Sequence, residues 1–213
     1  MSITDEHGAL AWLAARPEWP AARERLEALV AALAEENQRQ NLVSAASLSE
    51  VWLRHILDSA QLLAHVPRET AGPWLDLGTG AGFPGLVVGA MRPEMPLVMV
   101  ESRGRRVEWL CRMCEALGLS QARVEGRRLE LVEPFGAGVI SARAFAPLDK
   151  LLTLSSRFST SQTLWLLPKG RGAAKELAEL KGWRHVFHVE PSLSDAEAGI
   201  IIGQLNAKTG AKR

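Results

Sequence analysis

The sequence has no apolar run of the ~20 residues that a bilayer-spanning helix needs, and it does not begin with the basic-then-apolar order of a secretory leader. A cytoplasmic protein with no membrane partner is therefore expected. Cysteine is scarce. Cys111 and Cys114 stand in a C-x-x-C spacing, but no second Cys/His pair follows at zinc-site distance. Both fall within 105–117, where Val107, Trp109, Leu110, Met113 and Leu117 recur at helical spacing. Ordinary helix thiols in a reducing compartment, and no metal, are the expectation. Excess charge is also missing: 25 basic against 24 acidic residues leave a net charge of +1. That excludes a globally basic nucleic-acid binder and confines any RNA contact to a local patch. No internal repeat is present.

What remains describes a globular protein. The chain is 213 residues long and 47% hydrophobic, enough for one sizeable core with an appendage. Its first third is expected to be helical, over 9–15 and 20–40, the latter with Leu26, Leu29, Val30 and Leu33 on one face. A third helix is expected from Ser47, where Ser47-Leu48-Ser49-Glu50 fits a capping box, through Leu53, Ile56 and Leu57 to His65. Residues 67–73 are polar with a glycine and two prolines, as in a linker. From Trp74 short apolar runs alternate with helical ones, the pattern of a mostly parallel sheet covered on both faces. Strands are expected at 74–77, 97–100, 122–124, 139–142 and 164–167, and helices at 84–91, 103–117, 148–158 and 172–180. A last pair, 184–189 and 199–204, suggests a terminal antiparallel hairpin. The organisation expected is a helical extension over 1–66, an α/β domain over 67–207 and a flexible basic tail over 208–213.

The strongest local signal is the run from Trp74 to Gly85, in which an apolar strand leads straight into Gly78-Thr79-Gly80-Ala81-Gly82-Phe83-Pro84. Glycines are needed there because a Cβ would hold the backbone off a nucleoside or force a disallowed φ. The third glycine position of a dinucleotide fingerprint is Phe83, which counts against NAD, and no G-K-[S/T] closes the turn as a P-loop requires. The spacing acid-x-G-x-G-x-G, from Asp76 to Gly82, looks like the first motif of the Rossmann-like S-adenosylmethionine methyltransferases. Glu101 ends the next strand about 20 residues on, where such folds place the acid that accepts both ribose hydroxyls.

Further segments narrow the resemblance. Asn41-Leu42-Val43-Ser44, Arg54-His55-Ile56-Leu57-Asp58-Ser59, Gly82-Phe83-Pro84-Gly85, the run from Ile140 to Ala146, and Leu167-Pro168-Lys169-Gly170 stand in the order of the bacterial 16S rRNA guanine-N7 methyltransferases. This family is also known as glucose-inhibited division protein B, and the resemblance spans 37–179. It implies a class I fold: a mostly parallel seven-stranded sheet with an antiparallel C-terminal strand, plus an N-terminal helical extension. It implies S-adenosylmethionine as cofactor and methylation of N7 of a single guanine in the 530 loop of 16S rRNA, the partner being that RNA or the small ribosomal subunit. By position, Gly78 and Phe83 match the family's cofactor-loop contacts, Leu129 and Glu130 the pair flanking the adenine, and Arg143 the arginine of the cofactor pocket. Where the family often carries an acid at the start of strand four, this chain has Gly138.

The residues support a sparse catalytic apparatus independently. Guanine N7 offers a lone pair and bears no proton, so attack on a sulfonium methyl needs no general base and positioning does most of the work. Amine methylation would favour [N/D]-P-P-[Y/F/W] after strand four, and carbon-5 methylation a cysteine nucleophile; the segment is Ser141-Ala142-Arg143-Ala144. Arg143 and Lys169 are the candidate catalytic residues, holding the methionine carboxylate or an RNA phosphate; surface salt bridges are the alternative. Asp76, Gly78, Gly80, Gly82, Phe83, Glu101, Leu129, Glu130 and Arg143 are the candidate cofactor residues. Arg103, Arg105, Arg106, Arg127 and Arg128 are candidate phosphate contacts, and helix packing or capping is the reading for His55 and Asp58, with catalysis or RNA contact as the alternatives. A monomer is expected. Other functions in view are a methyltransferase for another RNA, a protein or a small molecule, and a cofactor-binding protein without turnover.

Overall fold

The computed structural model describes residues 2–208. Five of the apolar segments form parallel strands: β1 (Trp74–Leu77), β2 (Leu97–Val100), β3 (Ala122–Glu125), β4 (Ala137–Ala142) and β5 (Ser159–Lys169). They are followed by β6 (Trp183–His185), β7 (His188–Pro191), β8 (Gly199–Gly203) and β9 (Leu205–Lys208). Seven strands make one sheet in the order β3-β2-β1-β4-β5-β8-β7, with β8 antiparallel to both neighbours. Helices cover both faces of the sheet, which is why β1, β2, β4 and β8 are buried throughout.

Two apolar layers cover this sheet. On one face α7 (Leu148–Ser155) and α8 (Ala173–Glu179) pack Leu151, Leu152 and Ala173 against Leu75, Ile140 and Trp165. On the other, α5 (Gly85–Met91) and α6 (Gly104–Ala116) meet Trp74, Met99 and Val139. Outside them lies a further layer: α1 (Glu6–Ala14), α2 (Trp19–Glu36), α3 (Ala45–Leu48) and a helical run over 52–65, here α4. Leu26, Leu29 and Leu33 of α2 are fully buried in the same cluster as Val87 and Val88 of α5. No described helix is long and apolar enough to cross a membrane.

Several expectations are corrected. Helix α2 stops at Glu36, because Asn37 turns its side chain onto the backbone: its Oδ1 accepts from Leu42 N–H (2.9 Å) and Val43 N–H (3.0 Å). The cap expected at Ser47 lies three residues earlier, where the Ser44 hydroxyl accepts from Ser47 N–H (3.1 Å). Helix α4 is composite: Trp52–Leu57 is π, Asp58–Ala60 α and Gln61–His65 3-10. The wide turn buries His55, Ile56 and Leu57 in succession, which a regular amphipathic helix would not. The terminal hairpin is divided, β7 with β8 in the main sheet and β6 with β9 in a two-stranded sheet. The break falls at Gly203, φ +148°, which lies so close to the Val186 carbonyl and Phe187 that no Cβ would fit. The tail expected over 208–213 lies outside the described residues, apart from Lys208 at the end of β9.

Candidate active site

Sheet register brings the strand tips level. Leu77 pairs with Val100 on one side and Ala142 on the other, so the chain leaves the sheet at Gly78, Glu101 and Arg143 side by side. Strand order reverses between β1 and β4, the switch point at which open α/β sheets bind ligands.

The glycines of the turn have different tasks. Gly78 (φ +61°), Gly80 (φ +59°) and Gly82 (φ +102°) are all left-handed. A Cβ on Gly78 would run into the Phe145 ring, whereas one on Gly82 would run into Leu86 and Leu110 in the core; at Gly80 the nearest atom, Arg106 Nη1, is 3.5 Å away. Behind the turn Asp76 is completely buried. Its Oδ2 accepts from Gly85 N–H (2.9 Å) and its Oδ1 from the Ser141 hydroxyl (2.8 Å), which itself accepts from Trp74 Nε1–H (2.8 Å). Burial pushes the Asp76 carboxyl above its ordinary range, against the pull of its hydrogen bonds and of Arg143. The carboxylate thus ties β1, β4 and the start of α5 together. Phe83 is 2% exposed, stacked on His55 at 4.9 Å, and is not among the residues lining the crevice.

Four of the expected cofactor residues meet in one crevice of about 360 Å³, Gly78, Glu101, Leu129 and Glu130, with Phe145 and Arg106 also on its lining. Glu101 is 7% exposed. Its Oε1 accepts from the N–H groups of Ser102 (2.7 Å) and Arg103 (2.9 Å), which orients Oε2 towards Arg106 at 3.7 Å. The Leu129–Leu131 turn is held by Arg157, which donates to the carbonyls of Leu129 and Val132. Arg157 carries no signal in the sequence, being one arginine ahead of a strand. Asp76, Gly80, Gly82 and Phe83 are absent from the crevice lining; Asp76, Gly82 and Phe83 brace the turn from behind.

A second cavity, of about 410 Å³, lies across Ala144, a residue common to both linings. Ala144 has φ +53°, left-handed for a residue with a Cβ. Arg143 and Lys169 both line this second cavity, together with His55, Asp58 and Ser194. Arg143 Nη1 donates to Asp58 Oδ2 (3.2 Å) and to the Arg54 carbonyl (3.3 Å), and Nη2 to His55 Nδ1 (3.2 Å), with the guanidinium 5.2 Å from the Phe83 centroid. Because a guanidinium only donates, His55 Nδ1 must be bare and the proton must sit on Nε2. Burial, and then the charges of Arg143 and Arg54, push His55 down to about 3, so the ring is neutral at physiological pH. Its buried Nε2 has no hydrogen-bond partner among the described residues. The i, i+3 pair expected to face each other is bridged instead by Arg143.

Lys169 is committed elsewhere. Its Nζ donates to the Ala146 carbonyl (3.0 Å) and to Glu176 Oε2 (2.9 Å), which also accepts from Leu148 N–H (3.0 Å). Lys169 and Glu176 thereby clamp the loop after β4. The five arginines divide too: Arg103, Arg106, Arg127 and Arg128 line the crevice, but Arg105 reaches the Arg39 carbonyl (3.4 Å) in a separate groove. Gly138 leaves no room for a side chain, since a Cβ would overlap the Ala71 carbonyl. Cys111 is exposed and Cys114 half-buried, neither bonded to the other; burial, then Cys111, pushes the Cys114 thiol up to about 11. No group of three metal-ligating side chains occurs among the described residues.

A family described as GidB, rRNA small subunit methyltransferase G, matches residues 22–193. The chain belongs to this family. The ribosomal RNA small subunit methyltransferase G of Erythrobacter litoralis is 62% identical over 97% of the chain and 100% of its own length. That of Novosphingobium aromaticivorans is 56% identical over 97% of the chain and 91% of its own length. Among solved structures, a mutant of MtNAS in complex with S-adenosylmethionine has TM-score 0.60 at 15% identity, over 95% of the chain and 84% of its own. A SAM-dependent methyltransferase from Aquifex aeolicus has TM-score 0.56 at 14% identity, over 80% of the chain and 98% of its own. At these identities the likeness is one of fold: the Rossmann-like class I methyltransferase architecture.

Proposed function

We propose that this chain transfers the methyl group of S-adenosylmethionine to N7 of a single guanine, in the 530 loop of 16S rRNA. The observation that carries the reading is the convergence of Gly78, Glu101, Leu129 and Glu130 on one switch-point crevice, in a chain of the rRNA small subunit methyltransferase G family.

The crevice suits a nucleoside. The left-handed turn at Gly78 and Gly80 lets the backbone come close. Glu101 presents an oriented carboxylate whose acceptor oxygens match a vicinal diol. Leu129 supplies an apolar wall for the base, and Glu130 lies beside it. S-adenosylmethionine supplies a methyl carbon made electrophilic by the sulfonium it is attached to. Asp76 and Gly82 hold the turn in shape without touching the ligand, and Phe83 supports Arg143 from below.

The protein's task in such a reaction is positioning. N7 has no proton to remove, and the titratable ring nearest the acceptor cavity, His55, is held neutral rather than poised near 7 as a general base would be. Arg143 orients the acceptor, while Lys169 fixes the loop after β4 through Ala146 and Glu176. We assign residues 67–207 the crevice, and residues 1–66 one wall of the adjoining cavity through His55 and Asp58.

Methyl-labelled cofactor incubated with small ribosomal subunits, protein-free 16S RNA and free nucleosides tests this directly. Label is expected in the RNA of the subunit, at N7 of one guanine when mapped by cleavage at N7-methylguanine. Label in a small molecule and none in RNA would overturn the assignment.

A further inference from the structure

A base that is to be methylated must be recognised as well as reached, and guanine and adenine differ in the order of their hydrogen-bonding groups. Guanine presents an acceptor, O6, beside a donor, N1–H; adenine presents a donor, its amine, beside an acceptor, N1. A site that offers a donor next to an acceptor fits the first and rejects the second.

We propose that the cavity across Ala144 receives the target guanine out of the RNA stack and that Arg143 and Asp58 read it, the guanidinium donating to O6 and Asp58 Oδ2 accepting from N1–H. This rests on the methyltransferase reading above and adds to it the residues that set base identity. The donor and acceptor stand side by side, with Arg143 Nη1 3.2 Å from Asp58 Oδ2. Both are oriented by other groups. Asp58 Oδ1 accepts from the Ser194 hydroxyl (2.6 Å) and from Gln61 Nε2 (3.1 Å), which leaves Oδ2 facing Arg143. Arg143 is fixed by the Arg54 carbonyl and His55 Nδ1, and N–H groups of the fork remain for a ligand.

The order along the cavity is also right. Arg143 is the chain neighbour of Ala144, the residue shared with the crevice. In guanine O6 lies next to N7, so a base held at O6 by Arg143 turns N7 towards the crevice and N1 towards Asp58. The cavity's size, about 410 Å³, is that of a small-molecule site.

Asp58→Asn tests the assignment. Because Oδ1 is held by two donors, the new amide nitrogen would take the Oδ2 position, where it opposes both Arg143 and N1–H. kcat/KM on small subunits is expected to fall about tenfold to a hundredfold, the scale of one bidentate base contact, with cofactor Kd by calorimetry within about twofold of the wild type. Unchanged kcat/KM, or a parallel loss of cofactor affinity, would overturn the proposal. A companion experiment needs no variant: wild-type protein on subunits reconstituted with inosine or adenosine at the target position. Inosine keeps O6 and N1–H and is expected to be methylated within about tenfold of guanine, whereas adenosine, which has N7 but the reversed edge, falls by more. Adenosine methylated as well as guanine, or inosine rejected as strongly as adenosine, would show that other groups read the base. If wild-type protein leaves guanine subunits unmethylated, the methyltransferase reading itself fails, and this inference with it.

Discussion

The two cavities on either side of Ala144 are built by opposite means. The crevice at Gly78 and Glu101 is made of backbone: left-handed glycines, a short turn after β3, and one carboxylate oriented by main-chain N–H groups. The cavity at Arg143 is made of side chains, in which Arg143 joins His55 to Asp58 and Asp58 is held in turn by Ser194 and Gln61. A site shaped by backbone fails when atoms are added to it. A site shaped by a polar network fails when a partner is removed, because the groups left behind stay buried without bonds.

The largest expected effect breaks the backbone side of this contrast. Gly82→Val places a branched side chain at φ +102° against Leu86 and Leu110. It should cost about 4 kcal/mol of stability, from strain and overpacking together, read from the denaturant midpoint. Gly80→Ala has only ordinary contact at 3.5 Å to meet, so it should cost about 1 kcal/mol, the left-handed penalty alone. Equal losses would mean that the glycines of the turn share one role.

Next in size is Glu101→Ala, which should weaken S-adenosylmethionine binding by about 1–3 kcal/mol in calorimetry, the scale of leaving buried polar partners unpaired. Unchanged affinity would remove Glu101 from the crevice. On the network side, His55 gives a pH signature. Its pKa of about 3 lies below the ordinary 6.5, so between those values the unfolded chain takes up a proton that the native protein does not. Its contribution to stability is therefore complete above the ordinary value and is lost as the pH falls. Between about pH 7 and about pH 5 the wild type should lose about 2 kcal/mol more than His55→Asn. His65, also pushed down by burial, is common to both proteins. Parallel pH curves would show that His55 is not buried as a neutral ring.

The same contrast explains what could be read in advance. Gly78 and Glu101 follow strand ends at short, regular spacings and were legible from local pattern, as were β1 and β2 to the residue, whereas the Leu129-Glu130 pair came only from the family resemblance. What local pattern could not show is which of those residues face outward. Asp76 and Phe83 carry the right spacing and are buried behind the turn by contacts with Ser141 and His55, far away in sequence. The second cavity draws on α4, the loop after β4, the end of β5 and the segment before β8. No spacing within one segment reports such a convergence. Thus His55 and Asp58 read as a local helix pair until Arg143 is seen between them. Lys169 read as a candidate catalytic cation because its partner, Glu176, lies on a helix face where an acid is unremarkable.

The smallest effect sharpens the boundary of the crevice. Arg105 and Arg128 are both exposed arginines in charge-rich segments, and sequence alone groups them as phosphate contacts. Arg128 lies on the crevice lining, whereas Arg105 sits in a groove with Glu36, Arg39 and Arg112, where acids already neutralise part of the charge. If RNA approaches the mouth of the crevice, Arg128→Ala should lower affinity for the small subunit and reduce the slope of log affinity against log salt by about 1. Arg105→Ala should change affinity by less than about 0.5 kcal/mol and leave the slope alone. Equal slopes for the two variants would mean that the RNA runs along α6 as well, and that the basic surface extends past the crevice to the edge of the N-terminal helices.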